Sequence, residues 1–246
     1  MIHYHGGPIT PDTVALRAWK GRHAFASFAT IRNQIELVAG VCQSFALDNG
    51  AFSIWRKTGE PVADWSDYYC WAGTWLTHPA CDFAIIPDVI GGTEDENDVL
   101  VADWPFAKHE GVPVWHLNES LERLVRLARE WPRVALGSAD EWDVKSPRKA
   151  LERLAQALPA ISDDGRPRCK LHGLRMLNPE ITGVVPLASA DSTNTAFNHG
   201  KDGNWKGRYM PASREARAEV LVGRIEAVDT PGRWDPPVPQ RLDLTA

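Results

Sequence analysis

A chain of 246 residues with 43% hydrophobic and 24% charged positions is expected to bury a substantial core as a single soluble domain, and it contains no apolar run long enough to span a bilayer. A net charge of -5 argues against indiscriminate nucleic-acid binding over the whole surface. The four cysteines, Cys42, Cys70, Cys81 and Cys169, show neither CxxC pairing nor zinc spacing and read as reduced thiols of a cytoplasmic protein, while Met1-Ile2-His3 does not begin a signal peptide.

Short apolar runs recur along the chain, and each ends in polar or small residues. Ile2-His3-Tyr4-His5 runs into Gly6-Gly7, Ala24-Phe25-Ala26 into Ser27, and Ser44-Phe45-Ala46-Leu47 into Asp48-Asn49-Gly50. Trp65, Tyr69, Ala72 and Leu76 then form a helical stripe before Phe83-Ala84-Ile85-Ile86-Pro87 ends at Asp88. Thr93 with Glu96 makes a capping box, and Glu94, Asp95 and Asp98 put negative charge into that helix's first turn. Val112-Pro113-Val114-Trp115 ends at His116 and Asn118, and is followed by a stripe of Leu121, Leu124, Val125, Ala128 and Trp131. Val134-Ala135-Leu136 ends at Gly137-Ser138; Ser146-Pro147 opens a helix with Leu151, Leu154, Ala155 and Leu158 on one face. Lys170-Leu171-His172-Gly173 follows, and Val184-Val185-Pro186-Leu187 leads into Ala188-Ser189-Ala190-Asp191-Ser192-Thr193. The intervals before Ser44 and before Val184 have room only for short helices, and a further helix starts near Ser213.

Strands alternating with helices predict a βα repeat with a parallel sheet, and about eight repeats predict a single (β/α)8 TIM-type barrel of the α/β class. Strands buried on both faces should read as continuous apolar runs, and these do. The barrel is expected over residues 1–228, with 229–246 an extended Pro-rich C-terminal tail carrying Pro231, Pro236, Pro237 and Pro239. Between His199 and Arg217 lie five basic residues, Lys201, Lys206, Arg208, Arg214 and Arg217, against Asp202 and Glu215, with Trp205 and Tyr209 interleaved. Lys201, Trp205, Lys206 and Arg208 are therefore candidates for holding phosphates and stacking a base, the alternative being a solvated loop.

The ordered set Leu47-Asp48-Asn49-Gly50-Ala51-Phe52, Ile86-Pro87-Asp88, Trp115-His116-Leu117-Asn118, Ala135-Leu136-Gly137-Ser138, His172-Gly173-Leu174 and Ala190-Asp191-Ser192 resembles the tRNA-guanine transglycosylase superfamily. It is closest to phage and bacterial members thought to put 7-deazaguanine bases into DNA. The resemblance spans roughly residues 44 to 198. It implies that Asp191 is the nucleophile and that Asp48 contacts the base and handles its proton. Asp88 would read the amide and amino edge of guanine, with His116 or Asn118, Gly137, Ser138, His172 and Gly173 around the base. The family's cysteine-rich zinc site has no counterpart in this sequence, so a DNA substrate is expected rather than tRNA, with no cofactor and no membrane partner. The N-terminal His-Tyr-His-Gly-Gly-Pro also falls outside the family pattern.

The chemistry fits these residue types. Exchange at a glycosidic carbon passes through an oxocarbenium-like centre that a carboxylate can capture, while a second carboxyl group shuttles the leaving base's proton. A carboxylate also accepts two neighbouring N–H groups of guanine at once. Each aspartate has a plainer role open to it: Asp48 shaping the turn before Asn-Gly, Asp88 capping a loop, Asp191 capping a short helix. A rival reading is a metal-dependent amidohydrolase-like enzyme. His3 and His5, at i and i+2, share one side of the first strand, and His116, His172 and Asp191 would complete its site. A third is a non-catalytic nucleic-acid-binding barrel.

Overall fold

A computed structural model describes residues 1–30, 34–139, 142 and 146–235. The first half alternates β1 (Ile2–Gly6), α1 (Asp12–Trp19), β2 (His23–Ser27), α2 (Ile35–Val41), β3 (Ser44–Asp48), α3 (Ala51–Thr58), α4 (Ser66–Leu76), β4 (Cys81–Ile85) and α5 (Glu94–Ala102). The second half continues with β5 (Gly111–Val112), β6 (Val114–His116), α6 (Leu121–Glu130), β7 (Arg133–Gly137), α7 (Pro147–Ala160), β8 (Ser162–Asp163), β9 (Arg166–Pro167) and β10 (Lys170–Gly173). It closes with α8 (Pro179–Thr182), β11 (Ser189–Ser192), α9 (Asn194–Asn198), a 3-10 turn at Asp202–Trp205 and α10 (Arg214–Glu226).

Nine strands form one all-parallel sheet in the order β5-β4-β3-β2-β1-β11-β10-β7-β6, nearly closed and consistent with a TIM-like barrel. Its two edge strands, β5 and β6, are consecutive in the chain and separated only by Pro113. Proline has no N–H to donate to a ladder, so the strand is interrupted there. The Pro113 carbonyl still accepts from the Ala135 amide (2.9 Å), which draws the gap together.

Alternation along the strands sorts side chains into two cores. Tyr4, Phe25, Ala46, Phe83, Ile85, Val112, Val114 and Ala135 cluster inside the sheet. Their sequence neighbours Ala24, Phe45, Leu47, Ala84 and Trp115 pack outward in the larger cluster beneath the helices. At the end where the strands begin, Asp82 closes the interior by accepting hydrogen bonds from Tyr4 Oη (2.5 Å) and from Ser44 Oγ. Burial first, then the charge of Asp82, pushes the Tyr4 phenol well above its ordinary pKa, so it stays a donor.

The helix starts follow the expected chemistry. Thr93 caps α5 in a reciprocal capping box with Glu96, Ser213 caps α10, and Pro147 stands at the first turn of α7. The short intervals before Ser44 and Val184 hold the 7-residue α2 and the 4-residue α8. The elements that no sequence signal marked include α3 and the antiparallel hairpin β8–β9. The last strand is also displaced: Val184–Leu187 lies before it, and pairing begins only at Ser189, past Pro186. Of the expected tail, residues 236–246 lie outside the described residues. The part before them packs on the body, Thr230 Oγ1 donating to the Leu187 carbonyl (2.8 Å) and the Trp234 amide to the Gly165 carbonyl (2.7 Å). Among the described residues no helix is long and apolar enough to cross a membrane.

Candidate functional site

Parallel pairing puts the ends of β2, β3, β6, β7 and β11 at one mouth, and the polar residues that terminate those strands arrive there together. Ser27 pairs with Asp48 at the last register of β2 and β3, and His116 with Gly137 at the last register of β6 and β7. Asp191 lies in β11 and Asp88 just beyond β4. Electrostatics ties them into one site. Burial drives the Asp48 carboxyl up to about 6; the Ser27 hydroxyl beside it acts the other way, the charges of Asp191 and Asp88 add to the rise, and Arg175 opposes it.

Asp191 is only 3% exposed, and its Oδ1 accepts the Arg175 backbone N–H at 2.7 Å. His172 Nε2 lies 3.6 Å from the same oxygen, too long for a hydrogen bond, while its Nδ1 pairs with Ser189 Oγ at 2.9 Å. Among the described residues, no side-chain hydrogen bond engages Asp191 Oδ2. His172 is fully buried, its ring packed against Tyr4, Phe25 and Phe83 with centroids 5.9, 5.2 and 5.3 Å away. That burial lowers its pKa, with Asp191 pulling the other way, so a neutral ring underlies the carboxylate. His172 thus lies in the aromatic interior of the sheet, directly beside Asp191.

Asp88 is held on both oxygens. Asn49 Nδ2 donates to Oδ1 (2.8 Å) and His116 Nε2 pairs with Oδ2 (3.0 Å). Behind His116 stands Glu119, whose Oε1 meets His116 Nδ1 at 3.2 Å and whose Oε2 accepts from the His116 amide at 2.9 Å. Burial opposes charging this imidazole, yet the hydrogen bonds and charges of Asp88 and Glu119 outweigh it and push its pKa up to about 9. His116 is thus an imidazolium at neutral pH and donates both N–H groups. Glu119 is also buried, but His116 and Arg123 hold it below the usual carboxylate range. Arg123 Nη1 donates to Glu119 Oε2 (2.5 Å) and to the Val114 carbonyl (2.8 Å), and Nε to Asp98 (2.9 Å).

The turn after Asp48 has its own requirements. Gly50 caps α3 at φ 78°, and a Cβ there would sit 2.6 Å from Ala29 Cβ and 2.9 Å from its amide nitrogen. Asn49 Oδ1 accepts the Ala51 amide (2.8 Å) while its Nδ2 reaches Asp88, so the residue that shapes the turn also links it to the neighbouring loop. At Gly137 a Cβ would lie 3.0 Å from Val114 Cγ1 and 3.1 Å from His116 Cδ2, so the missing side chain leaves room for the imidazole.

Several expected site residues stand elsewhere. Gly173 faces outward, where a Cβ would collide with Met176 and Leu187 at 2.7 and 2.9 Å, so it packs the shell rather than the mouth. Asn118, exposed, and Ser138, half-buried, by contrast remain at the mouth, just past the ends of β6 and β7. Trp205 is 3% exposed with the Arg224 guanidinium 5.2 Å above its ring, so its face is covered and offers no stacking surface. Lys201, Lys206 and Arg208 are exposed as expected, and the exposed aromatics of this region are instead Phe197, with Lys201 Nζ 5.7 Å from its ring centroid, and Tyr209, at 61% and 85%. His3 and His5 lie outside the mouth: His3 Nε2 pairs with the Val228 carbonyl (2.8 Å) and His5 Nε2 with Glu226 (3.0 Å). The ligand set of the metal-hydrolase reading is therefore not assembled. Among the described residues no group of three or more His, Cys, Asp or Glu could hold a metal ion.

Sequence reasoning did not single out Glu119, Arg123 or Arg175. The His116-to-Glu119 spacing is the one available hint for the first. Nothing local marks Arg175, a non-glycine residue at φ 59° whose guanidinium lies 4.0 Å from the Phe52 ring centroid. Clefts of about 670 and 510 Å³ open at the opposite end of the sheet, lined by residues such as Lys170, Leu171 and Pro186 and by His3, Arg22 and Glu226. The convergence of carboxylates, not cavity size, singles out the mouth. Compared with known proteins, the chain matches no family model and no curated sequence.

Proposed function

We propose that the chain is a base-exchange glycosyltransferase of the tRNA-guanine transglycosylase type, which replaces guanine in a nucleic acid, DNA rather than tRNA, by a 7-deazaguanine-type base. On this reading the sheet is a (β/α)8 barrel whose strand count closes when Gly111–His116 is taken as one strand interrupted at Pro113. The observation that carries it is the convergence of Asp48, Asp88 and Asp191 at one mouth in three different states: one poised to titrate near neutrality, one locked by two donors, one pinned through a single oxygen.

Each state suits a step. Asp191 Oδ2 attacks the anomeric carbon as the bond from that carbon to the guanine nitrogen breaks, giving a glycosyl ester and releasing the base. The protonated Asp48 gives its proton to the departing base. As a carboxylate it then takes one from the incoming base, which attacks the same carbon and returns Asp191 to its ionised form. A group titrating at about 6 populates both forms at physiological pH. Asp88, fixed by Asn49 and His116, keeps a free lone pair on each oxygen for adjacent N–H donors of a guanine-like edge.

The test is isotope exchange. Incubating the protein with guanine-containing DNA and labelled guanine or a 7-deazaguanine should move label into the polymer. Asp191→Asn should abolish incorporation with the fold intact. Full incorporation by Asp191→Asn, or none by the parent with any DNA or RNA, would remove this function.

A further inference from the structure

We propose that Arg175, whose backbone N–H holds Asp191 and whose guanidinium lies on Phe52 of the helix that follows Asp48, is a phosphate-binding residue that holds a phosphodiester of the substrate strand beside the nucleotide whose base is exchanged. The inference rests on the mouth being a nucleic-acid site.

The backbone at Arg175 has one visible task, donating its N–H to Asp191 Oδ1 at 2.7 Å from a left-handed conformation at φ 59°. Glycine would perform it without the steric cost that any side chain bears there. The side chain must therefore be explained separately. It is exposed, and among the described residues its guanidinium is hydrogen-bonded to none and paired with no carboxylate. Stacking at 4.0 Å on Phe52, itself on the first turn of α3 after Asp48, fixes the plane while leaving the N–H edges open. A planar fork of that kind matches two phosphate oxygens.

Charge makes the same demand. Asp48, Asp88 and Asp191 present negative potential to a polyanion, and a strand whose sugar must reach Asp191 carries phosphates on that sugar's 3′ and 5′ oxygens. The field of Arg175 is felt at Asp48, so the cation belongs to the same small site. A base stacked on the outer face of the guanidinium would use the same side chain without a phosphate contact, and salt dependence separates the two.

The probe is a fluorescein-labelled single-stranded DNA oligonucleotide containing one guanine, with binding followed by anisotropy between about 50 and 200 mM salt. Arg175→Gly accepts the positive φ and keeps the N–H to Asp191, so it should fold; its thermal unfolding verifies this. Binding should weaken about tenfold at the low-salt end, and the slope of log K against log salt should become shallower by about 0.7, the value of one single-strand phosphate contact. Arg175→Lys should restore most of the slope. Equal slopes for the parent and Arg175→Gly, with or without a loss of affinity, would overturn the proposal, as would failure of the parent to bind. If the slopes differ but no base exchange occurs, the proposed reaction fails while the phosphate site stands. Exchange with equal slopes removes Arg175 alone.

Discussion

Asp48 is held near the point of titration because two environments compete over it: a poorly solvated strand end beside other carboxylates, and the Ser27 hydroxyl and Arg175 guanidinium that favour its charge. The exchange rate should accordingly show an inflection near pH 6. Asp48→Asn should erase it and slow exchange by roughly 10²–10⁴-fold. The same shift has a stability consequence. A carboxyl whose folded pKa rises from 3.8 to about 6 binds its proton more tightly in the folded state, so stability falls as pH climbs through that interval and stays lower above it. Asp48→Asn should therefore be more stable than the parent at pH 8, by up to about 2 kcal/mol once the partial solvation of the group is allowed for. Urea unfolding at pH 4 and pH 8 checks this; a variant that gains nothing at pH 8 would mean that the carboxylate is well solvated.

From β6 to α6, three residues form a strut. His116 at the strand end, Glu119 in the connecting turn and Arg123 on the helix bind one another and brace Asp88, with Asn97 of α5 donating to Glu119 at 3.1 Å. A histidine raised from 6.5 to about 9 contributes stability that is complete below 6.5 and lost as pH rises through 9. The unfolding free energy should thus decline across that window, on the order of 2–3 kcal/mol from this group, and His116→Gln should flatten the decline. Arg123 is 2% exposed, and Arg123→Ala would break its buried pair with Glu119 and leave His116 as that carboxylate's remaining cationic partner, at a cost of about 3 kcal/mol, read as a lower urea midpoint.

The order of these elements was legible in the sequence because parallel barrel strands are short apolar runs and their helices carry caps such as Thr93 and Ser213. The three aspartates were legible for the same reason, standing where apolar runs stop. What lay hidden depends on contacts between elements. Nothing in Leu171-His172-Gly173 tells that His172 points into the interior while Gly173 packs outward, since that turns on a one-residue register. Trp205 reads as a stacking platform in a basic loop, but tertiary packing buries it, with Arg224 from α10 over its ring. His3 and His5 share one side of β1 as expected, but that side faces α10.

Across the whole molecule, the two ends of the sheet have different work. The mouth gathers carboxylates that oppose one another, whereas the other end is tied by Asp82 to Tyr4 and Ser44, with Arg133 stacked 4.2 Å from the Phe83 ring centroid. Asp82→Ala should leave the Tyr4 hydroxyl buried without its acceptor and cost about 1–3 kcal/mol of stability, while exchange persists below the lowered melting temperature. Loss of exchange in a folded Asp82→Ala protein would mean that the chemistry is not confined to the mouth. The central claim, that Asp191 attacks a sugar, is tested most directly by trapping. The protein is incubated with guanine-containing DNA without a competing base, quenched in acid, digested and examined by peptide mass spectrometry. A deoxyribosyl ester on the peptide containing Asp191, absent from Asp191→Asn, is the predicted result. Base release or exchange with no adduct on that peptide, or an adduct that persists in Asp191→Asn, would contradict it.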